Sequence, residues 1–154
     1  MTPIILPHPT DSSWSRARTI VDAFRAHEKA NPFIVAALAN GYAESAWKPV
    51  IVGDHGQSFG PWQLKWQFYG EPIAGALGID IRTEPDLARH VDAVLFALAM
   101  PANAVTLNAL NIATNGADAT RAWAGGFERA SAGGAVDRRV SIAGQIEVWL
   151  ATQG

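Results

Sequence analysis

The sequence predicts an α+β fold, mostly α-helical with one small sheet lobe, and three observations carry that reading. Apolar residues recur at helical spacing in three separate stretches, from Trp14 to Phe24, from Leu87 to Leu98 and from Val136 to Leu150. Between Val50 and Leu64 the pattern changes. There the β-formers Val50, Ile51, Val52, Phe59 and Trp62 are interrupted by Gly53, Gly56 and Gly60, as in a small irregular hairpin or sheet. Proline and glycine punctuate the chain with no internal repeat and no low-complexity tract. At 154 residues, 49% of them hydrophobic, one domain spanning 1–154 is long enough to bury a core without metal or disulfide help.

Taken in order, residues 1–11 read as an extended arm, because three prolines exclude a helix. From Ser12 or Ser13 as N-cap, a helix runs to about Ala30, with Trp14, Ala17 or Arg18, Val21 and Phe24 or Arg25 along one stripe. Asn31-Pro32 then reads as cap and first position of a second helix. Its residues Phe33, Ile34, Ala37, Leu38 and Gly41 are apolar on nearly every face, so it is expected to be buried and to deliver Glu44 near its last turn. Lys48-Pro49 closes it, since a residue before proline is pushed out of the α region.

Asp54-His55-Gly56 is the expected hairpin turn. Beyond Trp66-Gln67-Phe68-Tyr69-Gly70, the glycines at 75 and 78 mark a loop, and Thr83-Glu84-Pro85 opens a helix whose apolar face is Leu87, Val91, Val94, Leu95 and Leu98. Pro101 stops it. Shorter helices are expected around 103–114 and 117–124, followed by a glycine-rich patch at Gly125-Gly126 and Gly133-Gly134 and a last amphipathic helix.

Charge and composition exclude several classes of function. The formal net charge is −2, and the twelve Lys and Arg are scattered, which excludes the basic stripe of a nucleic-acid binder. No cysteine is present, so thiol nucleophiles and disulfides are excluded. His8, His27, His55 and His90 lack zinc-site spacing, and no metal or other cofactor is expected. No run approaches the ~18 to 20 apolar residues of a membrane span, so no membrane insertion is expected. The stretch Ile4-Ile5-Leu6 lacks a basic flank and is closed by prolines, so no signal peptide is expected either.

Glu44 is the residue on which the chemistry turns. A carboxyl at the C-terminal end of a buried helix faces the negative end of the macrodipole and loses solvation, and both favour the protonated form that a general acid needs. Asp54, ten residues on, is the candidate second carboxylate. A separation of ~6.5 to 9.5 Å suits an inverting glycosidase and ~5 to 5.5 Å a retaining one. Aromatic rings at Trp62, Trp66, Phe68, Tyr69, Trp123 and Phe127 are suited either to stacking on sugars or to packing a core.

Glu44-Ser45 followed by Ser58-Phe59-Gly60-Pro61-Trp62-Gln63 resembles the active-site region of the lysozyme-like superfamily, in which goose-type lysozymes, lytic transglycosylases and phage tail lysozymes share a Glu-Ser and a downstream Ser-x-Gly-x-x-Gln. Phe127-Glu128-Arg129 resembles the Phe-Glu-Arg signature of the tail lysozymes, although Ala130 stands where they commonly have Pro and Trp123 where the transglycosylases typically have Tyr. The resemblance implies a lysozyme-like fold and a muramidase that cuts the β-1,4 bond between N-acetylmuramic acid and N-acetylglucosamine in bacterial peptidoglycan. In it Glu44 is the acid, Asp54 or a water meets the oxocarbenium-like transition state, and Ser58, Gln63, Trp62, Tyr69 and Trp123 hold the glycan. Glu128 next to Arg129 reads as a structural ion pair or cap. A monomeric endolysin released through a holin, or a virion component, is the implied setting. The same residues leave two alternatives open, a transglycosylase giving 1,6-anhydro products and an inactive glycan-binding or structural tail domain.

Overall fold

A computed structural model describes residues 12–129 and 134–153. The expected arm at 1–11, together with Ala130 and Gly133, lies outside the described residues. The chain is an α+β protein, mostly helix, with one three-stranded antiparallel sheet.

Helix α1 (Ser12–Ala26) buries Trp14, Ala17, Ile20, Val21 and Phe24, so the expected stripe is the core-facing one. It ends four residues earlier than its periodicity implies. The amides of His27 and Lys29 both turn back to the Phe24 carbonyl, and Glu28 takes a left-handed conformation at φ 61°. Helix α2 (Asn31–Ser45) is the centre of the molecule and packs against α6 (Gly116–Ala122), α7 (Gly134–Ala151) and α1. Every residue from Phe33 to Gly41 is buried, as an apolar circumference requires. Ala30 is its N-cap, with no side-chain bond, and Asn31 lies inside the first turn instead of capping it.

Two tryptophans close on α2. Trp47 donates its indole N–H to the Leu38 carbonyl and Trp62 to that of Ala37, each at 2.8 Å. Gly41 admits the second ring, since a Cβ there would stand 3.0 Å from Trp62 Nε1. At the helix end, Ala46 adopts φ 53° and returns its amide to Tyr42, while Arg16 reaches the Ala46 carbonyl at 3.3 Å. A cation there also complements the negative end of the helix.

The sheet lobe follows directly. Strands β1 (Val52–Gly53), β2 (Ser58–Phe59) and β3 (Leu64–Lys65) pair in sequence order, with Val52 opposite Phe59 and Ser58 opposite Lys65. The turn at Asp54–Gly56 is a single 3₁₀ turn with positive φ at all three residues. Ser45 ties the lobe to α2, its hydroxyl lying 3.0 Å from the Gly41 carbonyl and 2.9 Å from that of Pro61.

The expected loop around Gly75 is helix α3 (Glu71–Leu77), which contains Gly75 and stops at Gly78, left-handed at φ 68°. Pro72 fits a first helical turn, and the buried Ile73 anchors the helix to the core. Helix α4 (Leu87–Leu98) starts later than Pro85, because Asp86 is the cap and accepts from the Ala88 amide at 2.9 Å. It packs against α1 with Leu87, Val91, Val94 and Leu98 inside. Helix α5 (Ala104–Ile112) and α6 occupy the two expected short stretches, and α7 begins two residues before Val136.

Candidate active site

Glu44 stands on the last turn of α2, where its side chain is 24% exposed. One turn earlier, on the same face, is Asn40, fully buried and the one amide in an otherwise apolar run. Both are held by Arg139 of α7. Its Nη2 donates to Glu44 Oε1 at 2.8 Å and its Nη1 to Asn40 Oδ1 at 3.0 Å. Asn40 is itself oriented by donating to the Ala36 carbonyl at 2.9 Å. With Arg139 only 12% exposed, the guanidinium is an ordered cation at the negative end of α2 and not a solvated surface charge.

Glu128 is the second carboxyl of this site. It follows a π-helical turn, Trp123–Phe127, and its amide bonds back to the Trp123 carbonyl at 3.0 Å. The wider turn brings the side chain back over its own start, where Trp123 Nε1 donates to Glu128 Oε1 at 3.0 Å. Burial drives the Glu128 carboxyl well above the usual carboxylate range, and the negative charge of Glu44 pushes it further the same way. The Trp123 bond and the positive charge of Arg139 act in the opposite direction without reversing the shift. A proton-holding environment is thus found at Glu128, and Glu44 has an arginine against it. Glu128 was read from the sequence as an ion pair with Arg129 or as a cap; its bond is instead to Trp123, and it shares an electrostatic site with Glu44.

The other expected site residues make contacts of their own. Asp54 sits on the hairpin turn with its side chain 48% exposed, 3.5 Å from Lys65 Nζ and 3.4 Å from the Ser58 hydroxyl that donates to it. The carboxyl that feels the charge of Glu44 is Glu128, and the contacts of Asp54 lie within the sheet lobe. Ser58 is buried. Gln63, left-handed at φ 51°, donates to the carbonyls of Gly60 at 2.9 Å and Ile51 at 3.3 Å. Its Oε1 packs so closely on Gly53 that a Cβ there would collide with it. The Ser-x-Gly-x-x-Gln segment therefore builds the hairpin with its own polar groups.

Trp62 and Trp123, expected to hold glycan, are enclosed in the core and offer no ring face to a ligand. Their partners are Phe24, Phe33, Phe127 and each other. Tyr69 is half-buried, with its hydroxyl accepting from Asn103 at 3.2 Å. Trp66 packs closely on Gly70 and has the Arg82 guanidinium over its ring, 4.0 Å from the ring centre. Among the described residues Phe68 is the exposed aromatic side chain, at 52%.

Arg139 and Asn40 were not singled out in the sequence. A lone buried amide inside an apolar helix was the available signal for Asn40, since such a group must find a partner. Nothing local marks Arg139. No group of His, Asp and Glu with metal-binding geometry occurs among the described residues. Comparison with protein-family models, with curated proteins and with solved structures gave no match to this chain.

Proposed function

We propose that the protein is a peptidoglycan hydrolase cutting the β-1,4 bond from N-acetylmuramic acid to N-acetylglucosamine, with the Glu44–Glu128 pair as its acid–base machinery. The observation that carries the reading is that pair. One carboxyl is partly open to solvent and fixed by Arg139, and the other is half-buried, bonded to Trp123, and retains its proton above the usual carboxylate range. Two carboxyls whose environments separate their proton affinities are what glycosidic cleavage requires. Because the two interact, the proton belongs to the pair and not to either residue.

In the reaction, the pair gives its proton to the glycosidic oxygen as the C1–O bond breaks. Water adds to C1, and the proton it loses returns to the pair. At the moment of transfer both carboxyls are negative, and Arg139, which interacts with each, offsets that charge without reorganising. The Glu-Ser and Ser-x-Gly-x-x-Gln resemblance supports the choice of substrate, and Ser45 and Gln63 support it structurally by fixing the lobe beside Glu44.

The test is mass spectrometry of soluble muropeptides from purified peptidoglycan incubated with wild type and with Glu44→Gln. Reducing N-acetylmuramic ends from wild type, lost in the variant, are expected. Anhydro-muramic ends would replace hydrolysis by transglycosylation on the same pair. No product from wild type would sink the enzymatic reading.

A further inference from the structure

Beside the Glu44–Arg139 contact lies a depression of about 250 Å³, with Tyr42 and Ala43 of α2 on one wall and Ala135, Arg138, Arg139 and Ile142 of α7 on the other. Its chemistry differs from that of the carboxyl pair. No acid lines it. Arg139 has its charge met by Glu44, whereas Arg138 is exposed and has neither an ion-pair nor a hydrogen-bond partner among the described residues. The Tyr42 ring is fixed against Trp47, with centroids 4.9 Å apart, and burial raises the pKa of its phenol, leaving it a neutral hydroxyl donor. The remaining walls are two alanines and an isoleucine.

A free guanidinium and a phenol over small apolar walls are suited to one carboxylate with a short aliphatic neighbour. The volume is below the ~300 to 1,000 Å³ of ordinary ligand pockets, too small for a run of sugar rings and adequate for a side arm. We propose that this depression is a subsite for the carboxylate-bearing arm of the muramic sugar, with Arg138 as its anchor. The inference rests on the peptidoglycan reading above and adds to it the part of the substrate that is read next to Glu44. Two sources supply such a carboxylate, the lactyl group of a muramic sugar without a stem and, where a stem is attached and the lactyl carboxyl is an amide, the peptide stem.

Nuclear magnetic resonance titration of the full chain separates these possibilities without relying on catalysis. The probes are N-acetylmuramyl dipeptide, N-acetylmuramic acid and N-acetylglucosamine, each added to wild type, Arg138→Ala and Arg138→Glu. Expected are shifts at Tyr42 and Ile142 with the dipeptide, affinity weakened about tenfold in Arg138→Ala and further in Arg138→Glu, the scale of one charge-assisted hydrogen bond. N-acetylglucosamine should leave both resonances in place. Arg138-dependent binding of N-acetylmuramic acid alone assigns a free lactyl carboxylate, and Arg138-dependent binding of the dipeptide, whose lactyl carboxyl is tied up as an amide, assigns the carboxylate of the stem. Equal affinity of both muramyl probes in wild type and Arg138→Glu, or equal shifts with N-acetylglucosamine, overturns the subsite. If muropeptides are released while binding ignores Arg138, the subsite falls and the hydrolase stands. If binding needs Arg138 and no muropeptide is ever released, the reverse holds.

Discussion

Trp123 and Glu128 bond to each other twice, the indole N–H donating to the carboxyl and the Glu128 amide donating to the Trp123 carbonyl, both at 3.0 Å. The double link exists because the turn between them is π-helical, one residue wider than an α turn. It half-buries Glu128 within electrostatic reach of Glu44. Removing its carboxyl charge while keeping its shape, as in Glu128→Gln, should lower muropeptide release by about a hundredfold or more, the scale of a general acid or base. Asp54→Ala should retain at least about half of wild-type rate, because its partners are Lys65 and Ser58. Initial rates on the same peptidoglycan preparation check both, and the opposite ranking of the two variants would return Asp54 to the chemistry.

The raised pKa of Glu128 also fixes a slope of stability against pH. Its folded value lies above the ordinary 4.5, so between the two values the folded state binds more protons than the unfolded. Stability from this group is therefore present below about 4.5 and lost as pH rises toward the folded value. Buried His90 has the opposite slope. Burial lowers its pKa below 6.5, the bond from its ring to the Glu84 carbonyl opposing that only in part, so its contribution is present above 6.5 and lost as pH falls. The difference in urea midpoint between Glu128→Gln and wild type cancels the His90 effect. That difference should grow in favour of the variant as pH rises from 4.5, and a flat difference would contradict the burial argument.

Arg139→Ala should destabilise the protein by about 2 kcal/mol or more, since it leaves the Glu44 carboxylate mostly buried beside the negative end of α2 and strands the Asn40 amide oxygen. Arg139→Lys should recover part of the loss, because one ammonium cannot occupy both acceptors with the geometry of a guanidinium. Chemical denaturation of the three proteins provides the comparison.

Trp62→Phe isolates a structural role from a binding one. Losing the 2.8 Å bond to Ala37 and part of the ring should cost about 2 kcal/mol of stability. The Michaelis constant of folded protein should not change, as the wild-type ring is only 1% exposed. A raised constant at unaltered stability would restore Trp62 as a glycan contact.

Much of the scaffold was legible in the sequence because the information there is periodic and local. The stripe through Trp14, Ala17, Val21 and Phe24 and the uniformly apolar run from Phe33 to Gly41 each state their burial in their own spacing. Gly75 misled, because a glycine in an exposed helical position costs little when its neighbour Ile73 is anchored in the core. Glu44 was legible from its place on a buried helix. Its partners were not, since Arg139 belongs to a helix whose sequence shows only its apolar face, and Glu128 depends on a turn type that has no sequence signature. Trp62 and Trp123 show the same limit in another form: an indole reads alike whether it faces a sugar or a phenylalanine.

The contact between Glu44 and Arg139 spans 95 positions of the chain. A polypeptide emerging from the ribosome can fold α1, α2 and the sheet lobe while still lacking the cation on which its first carboxyl depends. The charge arrangement is completed only when α7 docks, so a nascent or shortened chain ending before Arg139 would leave Glu44 without the cation that meets its charge. The pairing of Glu44 with its cation thus depends on a contact of long sequence separation, the kind that forms slowly in a folding chain.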